Sequence, residues 1–526
     1  MISQTSLKQY FFTPSRGQFA LWLTFAIVLL NNWPVAAYVA THLGLASWAG
    51  WQTLITIAVV IVVFTYTSFT LVTLLSIRLA KVLATLFLLT NACALYFLNT
   101  YQVILDKTMI GNILNTQTSE SSQYLSFTLL LYVLLLGVLP SWWLWRMQVS
   151  TASRWRLATQ WLVGMGLSIV WIWSASATWL WIDKHGKALG GTILPWSYIV
   201  NSALYYQDYA ALHVTQTPLA DGSFTNQEKT VVVLVIGESA RAENFSMYGY
   251  ARNTNPKTSQ SGAVAMANTR ACASYTTAAV ACILAHTKEK SFGKVYETLP
   301  TYLQRQGVEV IWRSKNWGEA PITVSSYLTS KELKAQCQGI DCNYDGVLLA
   351  GLKEQIENAT ADKVFVVLHQ TGSHGPAYNK KYPPEFEHFT PVCDSVELSK
   401  CSSESLLNAY DNTILYNDDF LARLTQTLQS LSVQSSAYLY LSDHGESLGE
   451  NGLYLHGTPY SLAPKQQLEI PFIVWMSDAF QRQHQVQPQQ LRDRPENSQD
   501  EIFHSVMGAL GLTSEFYRPD LDIFNQ

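Results

Sequence analysis

The sequence predicts an α-helical membrane domain of five transmembrane helices, followed by an α/β domain with a mostly parallel central sheet covered by helices on both faces. Three observations predict this fold. Residues 17–182 are almost devoid of charge and rich in Leu, Val, Trp and Ala. Beyond them, short Val-rich runs alternate with segments of helical spacing. Six of the seven cysteines lie in this second part as three close pairs. We therefore divide the chain into a membrane domain (1–182), a membrane-surface connector (183–229) and a large α/β domain (230–526).

The charge-poor region contains five apolar segments, each near the roughly 20 residues that a helix needs to cross a bilayer. They are 17–39, 50–75, 79–99, 124–146 and 158–182. The first segment is too long for a cleaved signal peptide, and four more apolar segments follow it. We expect all five to span the membrane.

The basic residues of the short loops predict the orientation of the spans. If the spans alternate in direction, nearly all of these residues fall on one side: Lys8, Arg16, Arg78, Lys81, Arg146, Arg154 and Arg156. The opposite loops carry only Lys107 before the fifth span ends. Because cytoplasmic loops are rich in Lys and Arg, the amino terminus is predicted to be cytoplasmic and the large carboxyl-terminal domain to lie outside.

The cysteines agree with an oxidising compartment for the second domain. Cys93 lies within the third span, whereas the other six form the pairs Cys272/Cys282, Cys337/Cys342 and Cys393/Cys401. Close pairs in such a compartment are typical of disulfides that close loops. Metal clusters are the alternative, but no pair has the two-residue spacing backed by histidine that such clusters use. The net charge of −4 gives no indication of a nucleic-acid partner.

The second domain has the pattern of a parallel sheet. Candidate strands are 231–236, 308–312, 363–368, 437–441 and 470–475, and helical spacing occurs at 296–306, 346–358 and 408–430. The Gln-rich segment 483–500 is expected to be a surface loop. Ligand sites in parallel sheets lie beyond the carboxyl ends of the strands, so polar residues at those ends are the candidates for function.

Two strand ends carry candidate metal ligands. Glu238 follows the first strand directly, and the adjacent Asp443 and His444 follow 437–441. Oxygen and nitrogen donors together suit zinc, and three protein ligands leave a fourth position for a reacting group. A solvated glutamate and a capped Asp-His-Gly turn are the alternatives for each motif taken alone. Their occurrence together favours a metal site.

A loop of small hydroxyl residues between Cys272 and Cys282 supplies candidate nucleophiles. An alcohol is a poor nucleophile at neutral pH unless its proton is removed, and a metal ion promotes that loss. Ser274, Thr276 and Thr277 are all compatible with the spacing. The alternative is a helix amino terminus with capping hydroxyls, which could itself bind phosphate. His369, His374 and His456 lie in Gly-rich turns. They are either structural or contact a second metal, the substrate phosphate or the leaving oxygen.

Taken together, five motifs resemble the phosphoethanolamine transferases. These bacterial inner-membrane enzymes include lipid A-modifying and mobile colistin-resistance types, and their catalytic domain belongs to the alkaline phosphatase and sulfatase superfamily. The motifs are Gly237-Glu-Ser-Ala-Arg241, Tyr248-Gly-Tyr-Ala-Arg-Asn-Thr254, the Cys272…Thr276…Cys282 loop, His369-Gln-Thr-Gly-Ser-His-Gly-Pro376 and Ser442-Asp-His-Gly-Glu-Ser-Leu-Gly-Glu-Asn-Gly452. Five spans followed by a periplasmic domain is also the plan of this family.

The resemblance implies roles that spacing left open. It implies Thr276 as the nucleophile and zinc bound by Glu238, Thr276, Asp443 and His444, with a second zinc ion left open. It implies substrate contacts for His374, His456 and His369, for Asn112, Thr116 and Glu120 of the outer loop 100–123, and for Asn316.

The resemblance also implies a reaction. A monomeric transferase of the EC 2.7.8 type would move phosphoethanolamine from phosphatidylethanolamine to lipid A or the lipopolysaccharide core, through a covalent threonine intermediate. Adding an amine to lipid A would lower its negative charge and give resistance to polymyxins. Alternatives are a zinc-dependent membrane-anchored phosphodiesterase, and transfer to a glycan or a protein.

Two features depart from related patterns. Many members of the family carry a lysine and further cysteines after the motif 312–318, but here Glu319-Ala-Pro-Ile follows. This change concerns a phosphate-contacting lysine and, with it, the acceptor specificity. The sulfatase nucleophile pattern Cys-x-Pro-x-Arg is absent around Cys272, which argues against sulfatase activity.

Overall fold

The computed structural model describes residues 13–116, 121–150, 154–212, 215–287, 295–433 and 435–525. They form two compact units. One comprises Met1–Ile110 with Leu125–Tyr205, and the other comprises Gly111–Tyr124 with Tyr206–Gln526. The short segment Gly111–Tyr124 therefore groups with the larger unit, although in sequence it lies between two parts of the smaller one.

The smaller unit is helical and apolar. Its helices are Arg16–Asn31, Trp33–His42, Trp48–Leu75, Ile77–Thr100, Phe127–Tyr132, Leu139–Arg146, Arg154–Ser174, Trp179–Lys184, Gly186–Gly190 and Trp196–Leu212. The boundaries between the units fall within two helices, Trp196–Leu212 and Lys107–Asn115. A π-helical turn, Val133–Val138, joins two of them into one continuous segment, Phe127–Arg146. Among the described residues, four helices are long and apolar enough to cross a membrane, or five if a bent pair forms one span.

The bent pair coincides with the first predicted span. Arg16–Asn31 and Trp33–His42 meet at an angle of 51°. Pro34, in the first turn of the second helix, has no N–H to continue the helical ladder. At the break, the Asn32 side chain donates to Leu194 O (2.8 Å) and accepts from Leu194 N (2.9 Å). The break is thus fixed by a side-chain amide that forms two hydrogen bonds with the backbone of a distant segment.

The fifth predicted span is shorter than expected. The helix begins at Arg154 and ends at Ser174 rather than at 182. Shorter helices follow it, so much of the segment proposed as a connector is helical rather than irregular.

The larger unit is built on a seven-stranded sheet. We number its strands β1 (Thr230–Gly237), β2 (Val264–Ala265), β3 (Glu309–Ser314), β4 (Ser326–Thr329), β5 (Lys363–His369), β6 (Ser435–Ser442) and β7 (Phe472–Met476). Their order across the sheet is β2-β7-β6-β1-β5-β3-β4. The five strands from β6 to β4 are parallel, and β7 is antiparallel to both of its neighbours. The predicted mostly parallel sheet is confirmed.

Every residue of β1 is buried, as a Val-rich strand with no polar alternation predicts. One face of the sheet packs through Val232, Leu234 and Ile236 into the main hydrophobic core. The helices of this unit are Thr276–Ile283, Leu299–Arg305, Ser330–Ala335, Leu352–Glu357, Ser403–Gln429, Lys465–Leu468, Asp478–His484, Pro488–Arg492 and Glu501–Ala509. Two-residue strands pair outside the main sheet: Ser223–Phe224 with Leu512–Thr513, Ser447–Leu448 with Tyr454–Leu455, and Thr269–Arg270 with Asn497–Ser498.

The expectation of a surface loop over 483–500 is wrong. This segment contains the helix Pro488–Arg492 and the strand Asn497–Ser498. Its next-to-last residue is Gln499, which is fully buried. A buried glutamine must satisfy its amide, and Gln499 does so by bonding to backbone groups next to the candidate site.

Candidate active site

The site lies where β1 and β6 end side by side. The two strands are parallel and in register, with Gly237 opposite Ser442. The residues that follow, Glu238 and Asp443, are therefore neighbours although they are far apart in sequence. A backbone hydrogen bond from Asp443 N to Gly237 O (3.0 Å) continues the pairing to this point.

Four of the predicted residues converge beyond these strand ends. His444 Nε2 lies 3.3 Å from Glu238 Oε1 and 3.2 Å from Asp443 Oδ2. The Thr276 hydroxyl donates to Glu238 Oε2 (3.2 Å) and lies 3.4 Å from His444 Nε2. All four residues are at most 4% exposed. Two carboxylates, an imidazole and an alcohol thus face one another in a site closed to bulk water.

Hydrogen bonds to the outer atoms orient these side chains. Asp443 Oδ1 accepts the backbone N–H groups of Ser239 (3.1 Å) and His444 (2.7 Å), whereas Oδ2 is buried without a hydrogen-bond partner among the described residues. His444 Nδ1 lies 2.9 Å from Gly445 O. Since a carbonyl only accepts, Nδ1 carries the proton and Nε2 presents its lone pair to the site.

Glu238 is held by two side chains. Ser239 Oγ donates to Glu238 Oε1 (2.7 Å), and Asn316 Nδ2 donates to Oε2 (2.8 Å). Ser239 itself has a φ of 56°, an uncommon backbone conformation for a residue with a side chain. Asn316, expected to bind substrate, therefore touches the site through a proposed metal ligand.

The electrostatics of the two carboxyl groups favour a cation. Burial, and then the nearby Glu238 carboxylate, raises the pKa of Asp443 well above its usual range. Burial also opposes ionisation of Glu238, but His444, His374 and His456 outweigh it and hold the pKa of Glu238 below its ordinary value. Ionising two adjacent buried carboxyl groups has a large free-energy cost unless a positive charge lies between them.

The donor set fits a zinc ion. Asp443 Oδ2 lacks a partner, His444 Nε2 offers a lone pair, and Glu238 and Thr276 supply oxygen atoms. Four donors of nitrogen and oxygen type match the usual tetrahedral preference of zinc. Ligand atoms of Glu238, His444 and His456 also lie within 4.8 Å of one another.

The three remaining histidines do not occupy equivalent positions. His456 stacks near His444, with ring centroids 4.2 Å apart, and His374 lies 5.2 Å from His456. His456 Nδ1 is 2.9 Å from Glu446 Oε2. His369, at the end of β5, is fully buried, and its Nδ1 lies 3.7 Å from Glu319 Oε2. The structure thus groups His374 and His456 and places His369 beside a different carboxylate.

The hydroxyl loop separates its three candidates. Thr276 is the first residue of the helix Thr276–Ile283, and its hydroxyl faces Glu238. Ser274 Oγ instead donates to Thr458 O (2.5 Å), outside the cluster. Thr277 is packed, like Thr276, against the backbone of Gly318. Among these three residues, Thr276 is the one whose hydroxyl contacts both the carboxylate and the imidazole.

The predicted cysteine pairs are all disulfides in the structure. Their S–S distances are 1.97 Å for Cys272–Cys282, 2.09 Å for Cys337–Cys342 and 2.03 Å for Cys393–Cys401. The first bridge spans the turn that leads into the helix of Thr276, so it restrains the loop that presents the hydroxyl.

The outer-loop residues show local contacts. Asn112 lies in the helix Lys107–Asn115, and its Oδ1 is buried without a hydrogen-bond partner in the described part of the chain. Thr116 Oγ1 donates to Asn112 O (2.6 Å). Glu120 lies outside the described residues. Burial first, then Glu446, Tyr410 and Tyr124, raises the pKa of Tyr378 well above its ordinary value. Tyr124, at the end of this segment, therefore lies close to the catalytic unit's buried polar network.

Several residues that position the site escaped the sequence analysis. Asp345 accepts the N–H groups of Thr371 (3.1 Å) and Gly372 (2.8 Å), and so shapes the turn that precedes His374. Tyr378 donates to Glu446 (2.8 Å). Glu446 lies within a quoted motif and Tyr378 lies two residues after another, so spacing offered a weak signal for both. Neither Asp345 nor the buried Gln499 had a sequence signal.

The fold and the site define a class. Residues 230–512 match a family model described as sulfatase, and residues 61–210 match one described as phosphoethanolamine transferase EptA/EptB. The larger unit is thus a sulfatase-type domain of the alkaline phosphatase superfamily, attached to a helical region typical of a transferase.

Individual relatives agree on the family. The chain is 41% identical to phosphoethanolamine transferase EptA of Helicobacter pylori over 465 residues, which cover 85% of this chain and 86% of that protein. It is 33% identical to phosphatidylethanolamine transferase Mcr-1 of Escherichia coli, over 75% of this chain and 78% of that one. Its structure matches the integral membrane lipooligosaccharide phosphoethanolamine transferase A (EptA) of Neisseria meningitidis with a TM-score of 0.87 and 26% identity, covering 97% and 98% of the two chains. The chain belongs to the phosphoethanolamine transferase family, which confirms the resemblance seen in the motifs.

Proposed function

We propose that this membrane-embedded transferase moves phosphoethanolamine from phosphatidylethanolamine to lipid A or the lipopolysaccharide core through a covalent intermediate on Thr276. The observation that carries the proposal is the Thr276 hydroxyl, which is buried at the start of a helix and points at Glu238 and His444. A hydroxyl placed only for capping would bond to the backbone of its own helix. Thr276 makes its contacts with acidic and basic side chains instead.

Glu238, Asp443 and His444 would hold a zinc ion, with the Thr276 oxygen as the fourth donor. When bound, this ion supplies Lewis-acid stabilisation of negative charge on the attacking and phosphoryl oxygens. A second ion would draw on His456 and His374, whose rings adjoin the first group.

In the first half-reaction, Thr276 Oγ1 forms a bond to phosphorus, and the bond from phosphorus to the diacylglycerol oxygen breaks. The hydroxyl proton passes towards Glu238 Oε2, the acceptor 3.2 Å away. The first N–H groups of a helix have no acceptors within the helix, so those following Thr276 can bind the phosphoryl oxygens as charge accumulates. The leaving diacylglycerol alkoxide takes up a proton.

In the second half-reaction, a phosphate or sugar hydroxyl of the acceptor attacks the same phosphorus and frees the threonine oxygen. Transfer in two displacements at one site predicts ping-pong kinetics. The product carries an extra primary amine, which lowers the negative surface charge and weakens the binding of cationic peptides such as polymyxins. The positive-inside pattern supports a periplasmic location for this chemistry, at the inner membrane. The proposed enzyme acts as a monomer.

The test compares two adjacent threonines. Purified wild-type protein and the Thr276→Ala and Thr277→Ala variants are incubated with phosphatidylethanolamine labelled in its headgroup. Thr276→Ala should lose at least ~1,000-fold of the transfer rate and carry no adduct, because the nucleophile is absent. Thr277→Ala removes the adjacent hydroxyl and leaves Thr276 in place, so this variant should remain active.

Intact-protein mass spectrometry locates the adduct, and lipid A mass spectrometry identifies the product. An active Thr276→Ala variant with an inactive Thr277→Ala variant would refute the assignment of the nucleophile. Release of free phosphoethanolamine in the presence of lipid A, with no modified lipid, would show a hydrolase instead.

A further inference from the structure

A short loop after β3 approaches the nucleophile and carries an acidic side chain. Gly318 has a φ of 104°, and a Cβ built on it would lie 3.3 Å from the Cγ2 atoms of both Thr276 and Thr277. The backbone of this loop therefore lies directly against the two threonines. Two residues earlier, Asn316 donates to Glu238. Glu319 directly follows Gly318 on the loop that passes the two threonines.

The Glu319 carboxylate is only half satisfied. Its Oε1 accepts the hydroxyl of Tyr327, whereas Oε2 is buried and has no hydrogen-bond partner among the described residues. On the side of Oε2, His369 Nδ1 lies 3.7 Å away. The Nε2 atom of the fully buried His369 also lacks a partner in the described part of the chain.

The surrounding residues do not neutralise this carboxylate. Burial lowers the pKa of His369, which favours its uncharged form. Lys315, on the same loop, turns its Nζ towards Thr371 Oγ1 (3.3 Å) and Asp345 Oδ1 (3.5 Å). Among the described residues, no lysine or arginine forms an ion pair with Glu319. A carboxylate that is largely removed from water needs a cation or further donors.

The two side chains that adjoin the Glu319 carboxylate, Tyr327 and His369, both pack against the Trp312 ring. The Trp312 and Tyr327 rings stack with centroids 6.2 Å apart, and Trp312 meets His369 edge to face at 6.2 Å. A carboxylate beside aromatic rings can bind an ammonium group, because the carboxylate accepts a charge-assisted hydrogen bond and the rings add cation–π attraction.

We propose that Glu319, supported by His369 and the Trp312–Tyr327 stack, binds the ammonium group of the phosphoethanolamine headgroup and selects it over headgroups without a positive charge. This inference rests on the proposed function, since the headgroup must reach Thr276. The ammonium lies two carbons from the phosphate oxygen, so a subsite for it must adjoin the nucleophile. Glu319 directly follows Gly318, and a Cβ built on Gly318 would lie 3.3 Å from Thr276 Cγ2, so the loop that carries Glu319 passes the nucleophile. A primary ammonium also brings the three donors that the unpaired oxygen of Glu319 and its neighbours can accept.

The experiment uses the full chain in detergent micelles, loaded with zinc. The variants are Glu319→Gln, which removes the charge and keeps the shape, Glu319→Asp, which keeps the charge, and Glu354→Gln, an exposed control on the helix Leu352–Glu357. The donors are phosphatidylethanolamine and phosphatidylglycerol, whose headgroup carries no ammonium. The readouts are kcat and KM for diacylglycerol release, together with the zinc content and the unfolding temperature.

Glu319→Gln should lower kcat/KM for phosphatidylethanolamine by ~10- to 100-fold, mainly through KM, as expected for loss of one hydrogen bond to a charged group. Its kcat/KM for phosphatidylglycerol should not fall, so the preference between the donors shrinks. Glu319→Asp should retain part of that preference, and Glu354→Gln should behave as the wild type.

Three outcomes overturn the inference. An unchanged donor preference in Glu319→Gln with an active wild type shows that Glu319 does not read the ammonium, and it leaves the proposed transferase reaction intact. Loss of one zinc ion per chain in Glu319→Gln shows that the pair with His369 is a metal site. A wild-type protein that forms no Thr276 adduct removes both the inference and the proposed function.

Discussion

Replacing Gly372 by alanine should displace the proposed zinc ligand Glu238. Gly372 has a φ of 51°, and a Cβ added there would lie 2.6 Å from Glu238 O and 2.8 Å from Glu238 N. Ordinary Cβ contacts begin at 3.4 Å, so one of the two backbones must move by about 0.8 Å. Both are fixed by hydrogen bonds, since Ser373 N donates to Glu238 O (2.9 Å) and Gly372 N donates to Asp345 (2.8 Å). The change therefore falls on the position of Glu238.

Two effects set the size of the response. The left-handed backbone conformation costs a non-glycine residue about 1–2 kcal/mol, and overpacking adds about 1–3 kcal/mol, so Gly372→Ala should lose about 2–5 kcal/mol of stability. A misplacement near 1 Å at a reacting group lowers turnover by ~100-fold. Gly262→Ala is the matched control, because Gly262 has a φ of 81° and nothing within 4 Å of its added Cβ. It should lose about 1–2 kcal/mol and keep its activity.

The assay measures transfer from labelled phosphatidylethanolamine, zinc affinity and thermal unfolding for both variants in detergent. If Gly372→Ala transfers phosphoethanolamine at the rate of Gly262→Ala, then Glu238 does not depend on this contact, and the reasoning is refuted. If both variants lose activity equally, the loss comes from the positive φ that the two glycines share and not from displacement of Glu238.

Two further perturbations have calculable effects. Gln499 donates to Ser442 O (2.9 Å) and Asp443 O (2.5 Å). Gln499→Leu should therefore lower the free energy of unfolding by ~1–3 kcal/mol per unpaired carbonyl and weaken zinc binding. Thermal unfolding and metal titration, with the exposed variant Gln489→Leu as the control, measure both effects. Burial raises the pKa of Asp522 to about 6, from an ordinary value of 3.8. The free energy of unfolding that this group contributes is fully present below pH ~4. About 3 kcal/mol of it is lost as the pH rises through about 6, because Asp522 ionises at a lower pH in the unfolded state than in the folded state. Unfolding temperatures between pH 4 and 7 should show a shallower decline in Asp522→Asn, and an unchanged slope would contradict the shift.

Regular elements were predictable where burial leaves a local pattern. β1 is apolar at nearly every position, because both of its faces are covered, and its bounds follow from that run. The first span shows the limit of this approach, since composition predicts one helix through 17–39 but Pro34 and Asn32 break it. The segment 483–500 shows a second limit. Its polar composition indicated a surface loop, yet Gln499 is buried, because backbone carbonyls that are distant in sequence satisfy its amide.

The sequence by itself determined which chemical groups are available: an acidic residue after a buried strand, an Asp-His pair after another, and hydroxyls between two cysteines. It also determined the two-part organisation, because the charge-poor region and the mixed one differ in composition along their whole length. The tertiary structure decided which of these groups meet. The register of β1 with β6 places Glu238 beside Asp443, and the direction of the Thr276 helix selects one hydroxyl of three. Only the fold revealed that one carboxylate oxygen of Glu319, beside His369, has no hydrogen-bond partner among the described residues, because pairing and burial depend on contacts between segments that are distant in sequence.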